Sequence, residues 1–292
     1  MAATGRSPTQ LPIAAMGRSY QKVDCMNRLD TRFAALQSAG RKALVPFFTA
    51  GDPSLEATVP VMHALVDAGA DVIELGVPFS DPMADGPTIQ RSSERAIARG
   101  AGLAYVFDSV RAFRERDADT PVVLMGYLNP VEIRGAQRFA IEAVAAGVDG
   151  VLLVDLPPEE AAEFRVAFSA HGLALILLAA PTTSDARIAR LCDDAAGYLY
   201  YVSVAGVTGA DHLDTGAAGD RLHAIRARST VPVVAGFGIK DAASAAAMAR
   251  EADGVVVGSA LVAALDGAAD PAAAAGAFLA PLRAALDTGG RG

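Results

Sequence analysis

Eight short apolar runs, separated by segments of helical composition, constrain the fold of this chain more than any other feature. Most of the runs are apolar throughout, which is typical of parallel strands buried on both faces. The runs are Leu44–Phe48, Val72–Val77, Val122–Met125, Val151–Leu156, Leu173–Leu178, Tyr198–Val202, Val231–Val234 and Gly254–Val257. Alternation of eight strands with helices predicts a single (β/α)8 TIM barrel. An open doubly wound sheet is the alternative, although no G-x-G-x-x-G motif follows the first run to support it.

Helices are predicted between the runs, before the first run and after the last. Those between the runs are Ile89–Arg116, Ala136–Ala146, Pro158–Ala170, Asp185–Cys192, Ala217–Arg228 and Asp241–Arg250. Before the first run, Arg28–Ala39 is amphipathic, with Leu29, Phe33 and Leu36 on one face, and Gly40 ends it. We therefore expect an extra N-terminal helix on the barrel, and a final helix at Ala272–Leu286.

The segment before the first helix has a different character. It contains Arg6, Arg18 and Lys22, but it lacks both an amphipathic pattern and the apolar core of a signal peptide. We therefore predict a disordered extension at residues 1–25 and one barrel domain at residues 26–292. The two cysteines, Cys25 and Cys192, lie far apart, which favours a reducing, cytoplasmic compartment.

Charge and aromatic content argue against two classes of partner. The chain has 33 acidic and 25 basic residues and a net charge of −8, which does not favour nucleic acid or anionic lipid. It contains no tryptophan, and aromatic residues make up 6%, so a platform for stacking bases is not expected. No apolar run reaches the roughly 18 residues that a membrane span needs. We therefore expect neither a nucleic acid nor a membrane as a partner.

The second run contains the residue that fits its setting least, Glu74. A carboxylate among the aliphatic residues of a strand is destabilising if unpaired, or has a raised pKa. Its neighbours on one face are Val72, Gly76 and Pro78, and we expect this face to point to the barrel mouth, where barrel enzymes bind their ligands. Glu74 is therefore a candidate catalytic group, unless an arginine of a neighbouring element pairs with it.

A second carboxylate, Asp85, follows in the turn-rich segment after this run. Burial should raise the pKa of Glu74 toward neutrality, whereas Asp85, in a polar loop, should stay ionised. Two carboxyl groups whose pKa values are driven apart by their environments are a recurrent acid/base arrangement. The pair predicts acid/base chemistry, provided that the loop folds back over the strand end.

Glycine-rich turns follow the sixth, seventh and eighth runs. They are Gly206–Gly209, Gly236–Gly238 and the segment that begins with Gly258 and Ser259. Barrels often bind phosphate with the loops after strands seven and eight. Glycine lets backbone N–H groups approach the anion, and the Ser259 hydroxyl would add a donor. The turns predict a phosphate-bearing ligand, with ordinary tight turns as the alternative.

The sequence gives less support to Schiff-base catalysis and to a metal site. The lysines, Lys22, Lys42 and Lys240, all lie outside the predicted strands, which argues against Schiff-base catalysis. The histidines have no ligand spacing, so no metal site is predicted. Aromatic residues near strand ends either line a pocket for a flat apolar ligand or fill the core. These aromatic residues are Phe47, Tyr127, Tyr198, Tyr200 and Phe237.

The segment Glu74–Gln90, ELGVPFSDPMADGPTIQ, closely resembles the signature of the tryptophan synthase alpha subunit family. Further segments match that family in the same order, and the resemblance runs from about Met26 to the C-terminus. These segments are Pro46–Pro53 (PFFTAGDP), Ala205–Gly209 (AGVTG), Gly236–Ile239 (GFGI) and Gly258–Ser259. The resemblance implies a (β/α)8 barrel that cleaves indole-3-glycerol phosphate to indole and glyceraldehyde 3-phosphate, for tryptophan biosynthesis and without a cofactor.

The resemblance also implies residue roles. Glu74 would be the general acid/base, Asp85 would hold the indole N–H, and the Tyr200 hydroxyl would help to place Glu74 and the substrate. The phosphate would lie against Gly209, Gly238, Gly258 and Ser259. The indole would lie against Phe47, Leu124, Leu152 and Phe237.

A protein partner follows from the same resemblance. Members of the family pair with a pyridoxal phosphate-dependent beta subunit in an α2β2 tetramer. The loops Pro78–Pro87 and Ala205–Asp211 would be mobile, and Asn129, Pro130 and Pro157 would lie toward the interface. Two other functions stay open: a stand-alone indole-glycerol phosphate lyase, and a subunit that mainly binds and activates its partner. The Glu74–Asp85 pair argues against a purely structural role.

Overall fold

The fold is a closed barrel of eight parallel strands, seen in a computed structural model that describes residues 27–202, 215–236 and 238–289. The strands are β1 (Ala43–Thr49), β2 (Ile73–Gly76), β3 (Val122–Gly126), β4 (Gly150–Leu153), β5 (Ala174–Ala179), β6 (Leu199–Val202), β7 (Val233–Gly236) and β8 (Gly254–Val257). They pair in sequence order, and β8 closes the barrel on β1. Each strand lies within two residues of its predicted position at its start, so the eight apolar runs and the barrel are confirmed.

Helices surround the barrel. Within the described ranges they are α1 (Arg28–Ser38), α2 (Thr58–Asp67), α3 (Pro87–Ala98), α4 (Leu103–Arg114), α5 (Leu128–Arg134), α6 (Ala136–Ala146), α7 (Ala162–Ser169), α8 (Asp185–Asp194), α9 (Thr215–Arg228), α10 (Ala242–Glu251), α11 (Ser259–Leu265) and α12 (Pro271–Gly289). None of the helices in this part of the chain combines the length and apolar character that crossing a bilayer requires. The expected extension at residues 1–25 lies outside the described residues.

Two of the departures from the predicted helices have local causes. The single helix predicted at Ile89–Arg116 is two helices, because Gly100 adopts a left-handed backbone with φ +90° and ends α3. The N–H of Ala101 then bonds to the carbonyl of Ala96 across the turn, as at many glycine-terminated helices. The short α5 was not predicted, and its Pro130 lies in the first turn, where a helix tolerates proline.

Strand register decides which side chains face the barrel interior. Glu74 pairs with Phe47 of β1 and with Val123 of β3, so these three positions share a face. Leu75 pairs with Phe48 and is on the opposite face, toward the helices. The interior therefore holds Glu74 among apolar neighbours, as the sequence predicts.

The amino end of the barrel is closed by α1. The Asn27 side chain accepts the N–H of Leu29 and so caps the helix, and it donates to the carbonyl oxygens of Asp149 and Gly172 at 2.7 and 2.8 Å. Leu29 is fully buried. Phe33, one turn further on, packs its ring 5.7 Å from that of Tyr198. The extra N-terminal helix is thus confirmed, and it forms the floor of the barrel.

Three aspartates, here called the rim aspartates, follow one pattern at this end. Each precedes a strand, accepts a backbone N–H from the strand before it at 2.9 Å, and pairs with arginine. The rim aspartates are Asp71, Asp149 and Asp253, and the N–H groups belong to Leu44, Val122 and Val233. Their arginines are Arg283 for the first, Arg28 and Arg114 for the second, and Arg226 for the third. The rim aspartates thus join neighbouring strands to the surrounding helices.

Candidate active site

Glu74 lies in β2 with its side chain fully buried inside the barrel. The Tyr198 hydroxyl donates a hydrogen bond to its Oε1. The other oxygen, Oε2, is buried and has no hydrogen-bond partner among the described residues. The alternative pairing with an arginine is not seen, because the ion pairs of the described residues include none to Glu74. Glu74 is therefore held by a neutral donor rather than by a charge.

This setting controls the protonation of Glu74. Burial raises its pKa from the ordinary 4.5 to about 7, and the Tyr198 hydrogen bond acts in the opposite direction, more weakly. The raised pKa expected from the sequence is confirmed. A carboxyl group with this pKa is suited to both donate and accept a proton near neutral pH.

Asp85 lies in the loop between β2 and α3, at the end of the segment that the resemblance singled out. The Tyr127 hydroxyl donates to its Oδ2 at 3.0 Å and accepts the N–H of Ala84 at 3.0 Å. Burial raises the pKa of Asp85, and the Tyr127 hydrogen bond lowers it. The sequence predicted an ionised carboxylate in a polar loop. The structure instead places Asp85 half-buried against β3, because the loop folds back over the barrel.

A cavity beside Asp85 lies at the carboxyl ends of β1 to β4. Residues of its wall include Phe47, Gly76, Asp85, Met125, Tyr127 and Val154. The loop carrying Asp85 and the strand carrying Glu74 therefore meet at the same end of the barrel. The wall of this cavity thus combines apolar side chains with the carboxylate of Asp85.

The prediction that Leu124 lines the indole pocket is wrong, because this side chain faces the helices. It pairs with Leu75 and Val151, on the face opposite Glu74. Met125 pairs with Gly76 and lines the cavity instead. Side chains alternate along a strand, so a shift of one residue moves the side chain to the other face.

The other residues predicted to line the indole pocket are Phe47, Leu152 and Phe237. Phe47 lines the cavity, and its ring occupies the space above Gly76, where a β-carbon would come within 2.8 Å of it. Gly76 also lines the cavity, beneath the Phe47 ring. Leu152 is fully buried opposite Met125, and Val154, two residues later, forms the cavity wall. Phe237 lies outside the described residues.

The candidate phosphate residues are only partly described. Gly238 follows β7 with φ +68°, a conformation that favours glycine, and it is exposed. Gly258 follows β8 beside Phe47, and Ser259 begins α11 and is exposed. Gly209 lies outside the described residues. Gly258 thus adjoins the cavity wall that Phe47 forms.

The Tyr198 hydroxyl bonds to Glu74, whereas Tyr200, to which the resemblance gave a part in placing Glu74, makes no hydrogen bond to it among the described residues. Tyr200 lies near Glu74. Burial raises the pKa of Tyr200 most, and the nearby Glu74 carboxylate raises it further. Its hydroxyl adjoins Gly236, where a β-carbon would collide with it. Tyr198 and Tyr200 are two residues apart and share one side of the strand. That alternation was the sequence signal for Tyr198, and no comparable local signal pointed to Tyr127 as the partner of Asp85.

Comparison with known proteins agrees with this geometry. The family model described as tryptophan synthase alpha chain matches residues 33–282. A tryptophan synthase alpha chain of Xanthomonas axonopodis pv. citri is 74% identical over 268 residues, covering 90% of this chain and 100% of the relative.

Solved structures show the same likeness. A tryptophan synthase subunit alpha from Legionella pneumophila superposes with a TM-score of 0.84 at 47% identity, covering 90% of this chain and 99% of that one. A chain of tryptophan synthase from M. tuberculosis, in an aminoacrylate-bound form, gives a TM-score of 0.80 at 36% identity, covering 89% and 100%. This chain therefore belongs to the tryptophan synthase alpha chain family, whose members cleave indole-3-glycerol phosphate in tryptophan biosynthesis.

Proposed function

We propose that Glu74 and Asp85 divide the acid/base work of indole-3-glycerol phosphate cleavage in this chain. The observation that carries the proposal is a fully buried glutamate inside a barrel, which is held by a tyrosine and whose pKa burial raises to about 7. Oε2 of Glu74, which lacks a partner among the described residues, is the oxygen that holds the transferable proton.

The proton transfers balance over one turnover. Neutral Glu74 protonates C3 of the indole, which gives an indolenine with positive charge at its nitrogen. Glu74, now ionised, accepts the proton of the adjacent glycerol hydroxyl as the bond between indole C3 and the glycerol carbon breaks. Indole and glyceraldehyde 3-phosphate leave, and Glu74 is neutral again. One group performs both steps because its pKa is near neutrality.

Asp85 acts at the other side of the indole ring. Its ionised carboxylate accepts the indole N–H and stabilises the positive charge of the indolenine. A location on the cavity wall and a hydrogen bond from only one described side chain support this role. The indole itself lies against Phe47, Leu152 and Phe237, with Met125 in the place assigned to Leu124.

The phosphate binds at the turns after β6, β7 and β8. Gly209, Gly238, Gly258 and Ser259 supply the backbone and hydroxyl donors. The left-handed turn at Gly238 and the contact of Gly258 with Phe47 support this placement, since both glycines follow strands at the carboxyl end of the barrel. Tyr200, near both Glu74 and Gly236, lies between the two ends of the substrate.

Membership of the family implies a beta-subunit partner, and we propose an α2β2 tetramer with a pyridoxal phosphate-dependent beta subunit. Two apolar side chains at the carboxyl end of the barrel support an interface there, Met83 in the loop before α3 and Ile133 on α5, which are 83% and 80% exposed. Pro130 also lies on α5. We further propose that residues 26–292 form the catalytic domain, after an N-terminal extension, and that the enzyme works in the cytoplasm.

An assay of indole release from indole-3-glycerol phosphate tests the assignment. Glu74→Gln keeps the shape of the side chain but removes its acid/base function, so turnover should fall by about 10³-fold. Glu115→Gln, an exposed glutamate at the end of α4, is the matched control and should keep full activity. Binding of indole-propanol phosphate should persist in both variants. Normal turnover by Glu74→Gln would refute the role of Glu74.

The same assay separates the alternative functions. Rates measured with and without a beta subunit distinguish a stand-alone lyase, which would be indifferent to the partner, from a subunit activated by it. A wild-type chain that releases no indole in either condition would contradict the proposed function.

A further inference from the structure

We propose that Tyr127 is a positioning residue for the reaction, which fixes one oxygen of Asp85 and leaves the other to the substrate. This inference rests on the proposed function, because it depends on Asp85 meeting the indole N–H. It goes beyond the residues that the family resemblance names, since Tyr127 is not among those given a role.

Tyr127 stands on the rigid part of the molecule. It directly follows β3 and is the N-terminal flanking residue of α5, and it is 5% exposed. The strand before Tyr127 and the helix after it thus fix its backbone. A side chain at such a position holds a partner more precisely than a loop residue does.

The Tyr127 side chain contacts the β2–α3 loop at two separate points. Its ring stacks on Phe79, near the start of the loop, with centroids 4.9 Å apart and planes at 24°. Its hydroxyl meets Ala84 and Asp85, near the end of the loop, at 3.0 Å each. One side chain therefore ties both ends of the loop to the barrel.

The two hydrogen bonds of the hydroxyl define its orientation. The backbone N–H of Ala84 donates to the Tyr127 oxygen, so the proton of the phenol is directed to Oδ2 of Asp85. Within the described part of the chain, no other side chain or N–H group bonds to this carboxylate. Oδ1 is thus left for the indole N–H, while Oδ2 is held in place.

Gln90 holds the same loop in a different way. Its side-chain amide donates to the carbonyl oxygens of Pro82 and Asp85, at 3.3 and 2.9 Å. These bonds fix the backbone of the loop but leave the Asp85 carboxylate free to rotate. The orientation of the carboxylate therefore depends on Tyr127, and the position of the loop depends on both residues.

The charged groups that face Tyr127 are carboxylates. Burial raises the pKa of Tyr127 well above its ordinary value, and the neighbouring Asp85 and Asp155 raise it further. Asp155 accepts the N–H of Leu128 at 2.7 Å and so belongs to the framework of α5. The phenol therefore remains a donor throughout the pH range of an enzyme assay.

Tyr127→Phe tests the proposal, because phenylalanine keeps the stacking on Phe79 and removes only the hydroxyl. A hydrogen bond to a charged group is lost, so kcat/KM for indole release should fall by about tenfold. The acidic limb of the pH profile should move to higher pH, since the lost bond favours the ionised form of Asp85. In an Asp85→Asn background the same substitution should cause little further loss.

Tyr105→Phe is the matched control. The Tyr105 hydroxyl also makes two hydrogen bonds, to the carbonyl of Leu55 and the hydroxyl of Thr58, but it contacts no residue of the site. This variant should keep the wild-type pH profile. An unchanged pH profile in Tyr127→Phe, or losses that multiply fully with Asp85→Asn, would overturn the proposal.

A second measurement separates the failure of this proposal from that of the proposed function. Carbon-13 NMR titration of the aspartate side chains reports the pKa of Asp85 in the protein without substrate. The midpoint of Asp85 should rise in Tyr127→Phe and not in Tyr105→Phe, even if the wild-type chain released no indole. An unshifted midpoint would show that Tyr127 does not hold the carboxylate.

Discussion

Buried carboxylates have different partners at the amino end of the barrel and in the candidate active site. At the amino end, the rim aspartates pair with arginines and accept backbone N–H groups. Glu74, inside the barrel, and Asp85, at its carboxyl end, each receive a tyrosine hydroxyl, and neither pairs with a cation among the described residues. An arginine favours the ionised form of a carboxylate and a neutral hydroxyl adds no charge, although burial still raises the pKa of Asp71 despite Arg283. The rim aspartates thus differ from the two acids of the proposed reaction in the partners that hold them, arginine in one set and tyrosine in the other.

The largest expected effect is on stability at the amino end. Asp149→Ala removes the acceptor of the Val122 N–H and the partner of Arg114, whose side chain is 12% exposed. Breaking a buried pair on one side should lower the free energy of unfolding by about 3 to 5 kcal/mol. Urea denaturation would measure this loss, and kcat/KM per folded molecule should not change.

The control for this variant is an exposed pair. Asp108→Ala breaks the ion pair of Asp108, 73% exposed, with Arg111 on α4, and should change the free energy of unfolding by less than about 1 kcal/mol. Equal losses in the two variants would remove the distinction between buried rim aspartates and surface acids.

The next effect has the opposite sign and lies at the carboxyl end. Because the folded state raises the pKa of Glu74 from 4.5 to about 7, ionising this group as the pH rises through that interval destabilises the fold. Glu74→Gln escapes this cost, so it should be more stable than the wild type by up to about 3 kcal/mol above pH 7. The difference should disappear below the ordinary pKa of glutamate. Urea unfolding at about pH 5 and about pH 8 would show it, and a Glu74→Gln protein less stable at both pH values would contradict the assigned burial cost.

The smallest effect concerns the Tyr198 hydrogen bond. Tyr198→Phe removes the contact that lowers the pKa of Glu74, so this pKa should rise further. The basic limb of the pH profile of kcat/KM should move to higher pH. At neutral pH the loss of rate should be about tenfold or less. Tyr105→Phe again serves as control, and a basic limb that stays in place would mean that Tyr198 does not hold Glu74 during turnover.

Local patterns in the sequence predicted much of the fold. Each strand is a continuous apolar run, and burial of an acid inside such a run is visible without knowing the fold, so the raised pKa of Glu74 was predictable. The break at Gly100 was missed because the helical composition of Ile89–Arg116 continues across it, and only the left-handed backbone reveals the turn.

The partners of the two acids could not be read locally. Tyr198 and Glu74 are 124 residues apart, and Tyr127 and Asp85 are 42 apart. Their contacts depend on closure of the barrel and on the register between strands, which no local pattern contains. The error at Leu124 has the same origin, since only the pairing of Met125 with Gly76 shows which residue of β3 faces inward.

Because α1 closes the amino end of the barrel, it also determines the route by which ligands enter and leave. With Leu29 and Phe33 packed across the amino end, a substrate enters and a product departs through the carboxyl end. That route runs past the loop that carries Asp85 and the exposed Met83. Under the proposed function, Asp85 therefore lies along the route by which the indole leaves the barrel, beside the surface proposed for the beta subunit.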